Sequence, residues 1–396
     1  MKKIGILTFC NCMNYGAELQ AYALQKVLSN MGFDSEVIHV EKETGMMDSS
    51  MRTIFNAIAN RYKYYGLIKG TAKVISLVNS TFAVRKSESK NIKLREQKKS
   101  IFDDFFNNCV VHSKDYYTLD ELSIIDKMPY DAIVAGSDQI WNYMQTRHLN
   151  IFFLEFAHRL GLRCISYAAS FSVESIPSDL KSTYAKYLEN LDYISVREDS
   201  GVDIIKDCAG KKAEHVLDPT LLIDSKTWVN SIGNDSYLPK GKKYIVIYTL
   251  SGSTYIYKLA KNIAERLGLD ILNIRDGYEK VKGDEGIQHL YDVGPKEFIS
   301  IFNQAAYVIT DSFHGTAFSV NFNIPFTTLL NPVSNMNGRV KSLLRLTGLI
   351  ESRVIYDDGN DRIPTELNVD FSEVNRIIDA QRLHSIDYLK TALELQ

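Results

Sequence analysis

The chain has 396 residues, 45% hydrophobic and 24% charged, with 8 prolines and a formal net charge of −2. That length exceeds what one compact core serves and predicts two domains. The near-neutral balance excludes bulk electrostatic binding to nucleic acid, and no apolar run reaches the length of a membrane span.

Taken in order, Lys2 and Lys3 lead straight into a strand over residues 4–9, so no signal peptide is expected. The five cysteines, Cys10, Cys12, Cys109, Cys164 and Cys208, are odd in number and scattered. They fit a reducing cytoplasm rather than a disulfide framework. Cys10-Asn11-Cys12 is too tight for the usual zinc pair, so a packing or loop role is expected and no metal site. An amphipathic helix follows over 17–31, closed by Gly32, and a strand over 35–40. The turn before that helix, with Asn14, Tyr15 and Gly16, lies at the carboxyl end of a strand. It lacks the glycine spacing of a dinucleotide fingerprint.

Residues 51–100 carry twelve Lys and Arg against Glu88 and Glu96, a charge of +10 in a chain whose other parts sum to −12. Five aromatics are interleaved with them. Such a helical insertion, spanning about 44–110, suits either an anionic membrane surface or a solvated helical lid.

Strands are then expected over 131–135, 163–168, 193–196 and 214–217, with helices over 178–190 and 201–206. A second block has strands over 244–249, 270–274, 307–310 and 325–330, with helices over 254–267, 295–305, 315–322 and 338–346. A last helix over about 372–395 either caps this block or crosses back to the first. Two βαβα blocks imply an α/β protein of two Rossmann-like domains facing a central cleft, over 1–230 and 231–396.

Ligands of such sheets bind beyond the carboxyl ends of strands, which makes the polar turns there the candidate site. Ser137, Asp138, Gln139 and Trp141 follow the strand over 131–135; directed hydrogen bonds beside a flat apolar face suit a sugar, and equally suit a helix cap beside a buried tryptophan. Arg197 ends the strand over 193–196 and can clamp a carboxylate or phosphate. It needs either a ligand anion or Glu198 or Asp199 to balance it. Asp218-Pro219-Thr220 reads as a turn. Asp311, Ser312, Phe313 and His314 join the strand over 307–310 to an apolar helix whose amino end favours an anion. A histidine there can move protons or simply cap the helix. Arg339 and Lys341 start a later helix, as an anion contact or as a solvated face. Walker A, G-x-S-x-G, H-E-x-x-H and Asp-rich metal motifs are all absent from the sequence.

Several ordered blocks resemble the polysaccharide pyruvyl transferase family. They are Lys3-Ile-Gly-Ile-Leu-Thr-Phe with Asn14-Tyr-Gly-Ala and Leu19-Gln-Ala; Val134-Ala-Gly-Ser-Asp-Gln-Ile-Trp-Asn; Ser166-Tyr-Ala-Ala-Ser; Ser195-Val-Arg-Glu-Asp-Ser; Val216-Leu-Asp-Pro-Thr-Leu-Leu; and Asp311-Ser-Phe-His-Gly. The resemblance implies a GT-B-like fold and transfer of a pyruvyl group from phosphoenolpyruvate onto two hydroxyls of a sugar, forming a ketal. It matches Arg197 to a donor-binding arginine and His314 to the catalytic histidine. A second arginine that the family can carry two residues before that histidine is Ser312 here. The donor side is then expected to comprise Arg197, Ser312, Phe313, Gly315, Arg339 and Lys341. The acceptor side is expected to comprise Asn14, Tyr15, Gly16, Ser137, Asp138, Gln139 and Trp141. The scheme requires no metal or redox cofactor, only phosphoenolpyruvate as co-substrate and a sugar or lipid-linked glycan acceptor. The expected location is cytoplasmic, peripheral to the inner face of the membrane if residues 51–100 touch it. A nucleotide-sugar glycosyltransferase and a non-catalytic glycan-binding protein on the same fold are the alternatives.

Overall fold

A computed structural model describes residues 1–40, 92–233, 237–251, 253–275 and 281–394. Most of the basic segment lies outside these residues, and with it the membrane-surface and lid readings; its end forms part of the helix Ile92–Cys109.

The strands in chain order are β1 (Lys3–Leu7), β2 (Asp34–Val40), β3 (His112–Tyr117), β4 (Ala132–Gly136), β5 (Arg163–Tyr167), β6 (Ser195–Val196), β7 (Glu214–His215), β8 (Tyr244–Tyr248), β9 (Ile271–Ile274), β10 (Gln288–Leu290), β11 (Ala305–Thr310), β12 (Phe326–Leu330) and β13 (Val354–Tyr356). One sheet has the order β3-β2-β1-β4-β5 and the other β10-β9-β8-β11-β12-β13, with β6-β7 a separate pair. Bridges Ile165–Tyr193 and Ala169–Val196 tie that pair to the first sheet. All strand pairs are parallel. The central strands β4 and β8 are buried at every position, as continuous apolar runs should be when helices cover both faces.

Each sheet starts in its middle, at β1 or β8, winds outward, and returns to the other side at β4 or β11. The crevices where winding reverses, beyond the carboxyl ends of β1/β4 and β8/β11, are the natural ligand sites of this topology. The two halves share one core. Tyr15, from the turn after β1, stacks on Phe298 at 4.8 Å and meets Tyr248 edge-on at 5.6 Å. Its hydroxyl donates to the Val293 carbonyl at 2.9 Å.

Of the two courses expected for the last helix, the second is the one observed. The last helix, Ser372–Leu393, crosses back to the first half. Tyr388 donates to the Ser166 carbonyl at 2.8 Å, the Leu217 amide donates to Ser385 Oγ at 3.0 Å, and Arg382 Nε donates to the Leu221 carbonyl at 2.6 Å. Among the described residues no helix is long and apolar enough to cross a membrane.

Candidate active site

The helix after β11 runs Phe313–Asn321 and is capped by Ser312, whose hydroxyl accepts from the Gly315 amide. His314 therefore lies in the first turn of the helix, which starts two residues earlier than the apolar pattern suggests. A Cβ on Gly315 would overlap Thr310 Oγ1, so this glycine lets the helix lie close on its own strand. The Thr310 hydroxyl in turn accepts from the Ser312 amide at 3.0 Å. Ser312 is thus a cap, and supplies no positive charge to a donor.

Across the crevice, Asn14 caps the helix Tyr15–Asn30 by accepting from the Gly16 and Ala17 amides at 2.9 and 3.2 Å. The His314 ring lies directly against Gly16, where a Cβ would overlap Nδ1, Cε1 and Cγ of the imidazole. The first half therefore supplies the floor for a histidine of the second.

Arg197 follows β6, and its side chain is 1% exposed. NH1 donates to Asp218 Oδ2 at 2.8 Å and NH2 to Asp138 Oδ1 at 3.4 Å. The guanidinium sits 4.4 Å from the centre of the Phe313 ring, a cation–π geometry. Its expected counter-ions do other work. Glu198 accepts from Ser170 Oγ, the Phe171 amide and the Ser172 amide, and Asp199 takes a bidentate contact from Arg345.

Asp218, fully buried, caps the short helix Pro219–Leu222. Oδ1 accepts from the Thr220 amide and hydroxyl at 2.9 and 2.7 Å. Oδ2 accepts from Ser137 Oγ at 2.8 Å, in addition to Arg197. His314 Nε2 lies 3.8 Å from the same Oδ2. Burial pushes the Asp218 carboxyl up, but His314 and the Arg197 charge outweigh it and hold it well below the usual carboxylate range. For Arg197, burial opposes the charge while Asp218, Asp138 and Glu198 together raise its pKa.

Arg339 enters from the first turn of the helix Gly338–Leu346. It lies 4.0 Å from Asp138 Oδ1 and 5.9 Å from the centre of the Phe313 ring. Burial, and then repulsion from Arg197, pull its pKa down to about 10. It is a cation at neutral pH, short of counter-charge.

The remaining expected residues do not line an acceptor face. Trp141 is fully buried, stacked on Phe153 at 4.4 Å, with its indole N–H donated to the Phe152 carbonyl. Tyr15 is equally buried and spent on the shared core. Neither offers a face to a sugar, which corrects their assignment to the acceptor. Asp138, with a left-handed backbone (φ 66°), faces the arginines as their counter-ion. Ser137 serves Asp218. The Gln139 side chain accepts from Asn142 Nδ2 at 3.3 Å within its own turn. Lys341 pairs with Glu174 at 3.5 Å, away from the cluster. Asp218 is the residue that sequence reasoning passed over. An Asp-Pro-Thr turn is an ordinary helix start, and the signals were its place in a family-like block and the need to balance a buried Arg197.

Several buried polar atoms here lack a partner among the described residues: Arg197 Nε, Arg339 Nε, His314 Nε2, Glu198 Oε2 and Ser172 Oγ. Buried polar atoms are nearly always paired, so this concentration marks a place that can accept ligand atoms. Two guanidiniums around one phenyl ring can hold an anion, and the adjacent imidazole can transfer protons. Among the described residues no group of three or more His, Cys, Asp or Glu is placed to hold a metal ion.

A model of the polysaccharide pyruvyl transferase family matches residues 14–332. None of the curated proteins is detectably similar in sequence. Among solved structures, UDP-GlcNAc 2-epimerase from Methanocaldococcus jannaschii is similar with a TM-score of 0.51 and 11% identity, covering 96% of this chain and 100% of that one. The S. aureus MnaA structure with UDP is similar with a TM-score of 0.50 and 12% identity, covering 98% of this chain and 91% of that one. At such identities the likeness concerns the fold, which is GT-B.

Proposed function

From the premise that this chain belongs to the polysaccharide pyruvyl transferase family, an enzyme family, we propose that it transfers a pyruvyl group from phosphoenolpyruvate to two hydroxyls of a sugar in a cell-surface polysaccharide or its precursor, forming a pyruvate ketal. The observation that carries this reading is the convergence of Arg197, Arg339 and His314, each with a buried nitrogen lacking a partner among the described residues.

Phosphoenolpyruvate is a compact anion with a carboxylate and a phosphate on one enol carbon. Arg197 is already neutralised by Asp218 and Asp138, whereas Arg339 is under-compensated. Arg339 therefore takes the larger share of the incoming charge, in place of the arginine absent at Ser312. His314 protonates the methylene carbon, which makes C2 electrophilic. One acceptor hydroxyl then attacks C2 and returns a proton to His314, and phosphate departs from C2, taking up the proton of the second hydroxyl. The second attack completes the ketal. Proton transfer of this kind is typically worth about 100- to 10,000-fold. The scheme uses no metal or redox group.

The test is incubation with phosphoenolpyruvate and a panel of sugar and lipid-linked glycan acceptors. Phosphate release together with a ketal product is the expected result. Turnover only with a nucleotide sugar would overturn the proposal in favour of a glycosyltransferase. Binding of glycan with no turnover of either donor would leave a glycan-binding protein. His314→Ala is expected to remove turnover while the circular dichroism and melting of the protein stay unchanged.

A further inference from the structure

Asp218 stands between the two residues on which the proposed function depends, and nothing in that function assigns it a task. We propose that Asp218 is a positioning residue whose single oxygen, Oδ2, is shared between Arg197 and His314, so that the hold of one on the carboxylate sets the protonation of the other. Oδ2 faces Arg197 NH1 at 2.8 Å and His314 Nε2 at 3.8 Å. Oδ1 is fully occupied by Thr220. Ser137 Oγ fixes the orientation of Oδ2 from the far side at 2.8 Å. The carboxylate is thus held rigidly, and its two charged neighbours compete for it. His314 Nε2 is buried without a hydrogen-bond partner among the described residues, and the carboxylate oxygen within 4 Å of it there is Asp218 Oδ2, at 3.8 Å.

The other charges around the ring are placed differently. Arg197 and Arg339 lie over the neighbouring Phe313 ring, with Asp138 as their shared counter-ion. The Glu198 carboxylate is held by Ser170, Phe171 and Ser172. Asp311, just before the helix, is engaged by Thr249, Leu250 and Ser251. Asp218 is therefore the carboxylate whose removal His314 should register most. An opposite charge within ~4–6 Å commonly shifts a titration by about 1 to 3 pH units. The consequence for catalysis rests on the pyruvyl-transfer reading: an anion engaging Arg197 relaxes its grip on Oδ2 and leaves the carboxylate to His314, so donor arrival itself arms the acid.

The experiment uses the full chain with isotopically labelled histidine and follows the His314 ring by NMR, its signal identified by disappearance in His314→Gln. Asp218→Asn is expected to lower the His314 titration midpoint by at least about one pH unit. Arg197→Met, which leaves His314 as the one ionisable neighbour of Oδ2 among the described residues, is expected to raise it. A midpoint that stays put in whichever of these variants folds overturns the proposal. A second reading needs no substitution at either position: above the midpoint, the unaltered protein should carry its imidazole proton on Nε2, facing Oδ2. A proton on Nδ1 instead overturns it. Turnover is not measured at any step, so failure of pyruvyl transfer and failure of this coupling are seen separately.

Discussion

His314 is held by the absence of a side chain opposite it. A methyl group at Gly16 would overlap the imidazole, while alanine is otherwise the better helix residue. Gly16→Ala should therefore leave the melting temperature within a few degrees and reduce turnover by about 100-fold, the scale expected when a reacting group is displaced by about an ångström. Unchanged kcat would mean that the ring position is immaterial. Arg339 makes the opposite trade. Its pKa is depressed to about 10, so below that value the folded state carries a charge it disfavours, and the penalty begins to fall only as pH rises past about 10, vanishing above the ordinary arginine value where the unfolded chain is neutral too. Arg339→Met is expected to melt no lower than the parent at neutral pH, yet to raise the donor KM at least tenfold, on the order of 1.4 kcal/mol. In the unaltered protein the donor KM should climb as pH approaches 10; a flat profile there would contradict the role. His314 and Arg197 were legible in the sequence because their chemistry is unusual at strand ends. Trp141 and Tyr15 were not, since an aromatic in a polar turn reads the same whether it faces a cleft or a core.

At the scale of elements, the central strands announce themselves and the outer ones do not. β1, β4, β8 and β11 are apolar runs buried on both faces, and periodicity finds them. β3, β10 and β13 went unrecognised, and each lies at or next to the end of its sheet region, with β3 and β10 reading His-Ser-Lys-Asp-Tyr-Tyr and Gln-His-Leu. Edge strands meet solvent on one side, so β3 and β10 lose the apolar pattern, while β13, Val-Ile-Tyr, keeps it but is only three residues long. The junction of β11 with its helix shows how tightly an inner element is fitted. Gly315→Ala would drive a methyl into Thr310 Oγ1, and overpacking of this kind costs about 1–3 kcal/mol. The same strain lifts the helix that carries His314, so stability in urea and kcat should fall together. A loss of stability with full activity would show that the strand, not the helix, gives way.

At the scale of the whole molecule, neither half contains the whole candidate site: Arg197, Asp218 and Gly16 come from the first, His314 and Arg339 from the second. The two-block pattern was legible because each block repeats strand and helix in turn. Where the last helix goes was not, because an amphipathic face does not say which surface it will meet. That helix, Ser372–Leu393, buries Leu389, Ala392 and Leu393 completely, and Ser385 accepts the amide of Leu217, the residue before Asp218. Tyr167 holds the other backbone polar group of the same residue by donating to the Leu217 carbonyl at 2.9 Å. The backbone that presents Asp218 is therefore clamped from both sides, and one clamp belongs to the chain's final turns. Ser385→Ala leaves a buried amide without its acceptor, a loss of about 1–3 kcal/mol. If the clamp also sets the carboxylate, kcat should drop several-fold even at temperatures where the variant is fully folded, and the deficit should shrink in Ser385→Thr, which restores the oxygen. A variant that is less stable but turns over normally would make the last helix a brace for the fold alone, with no hand in the chemistry it closes over.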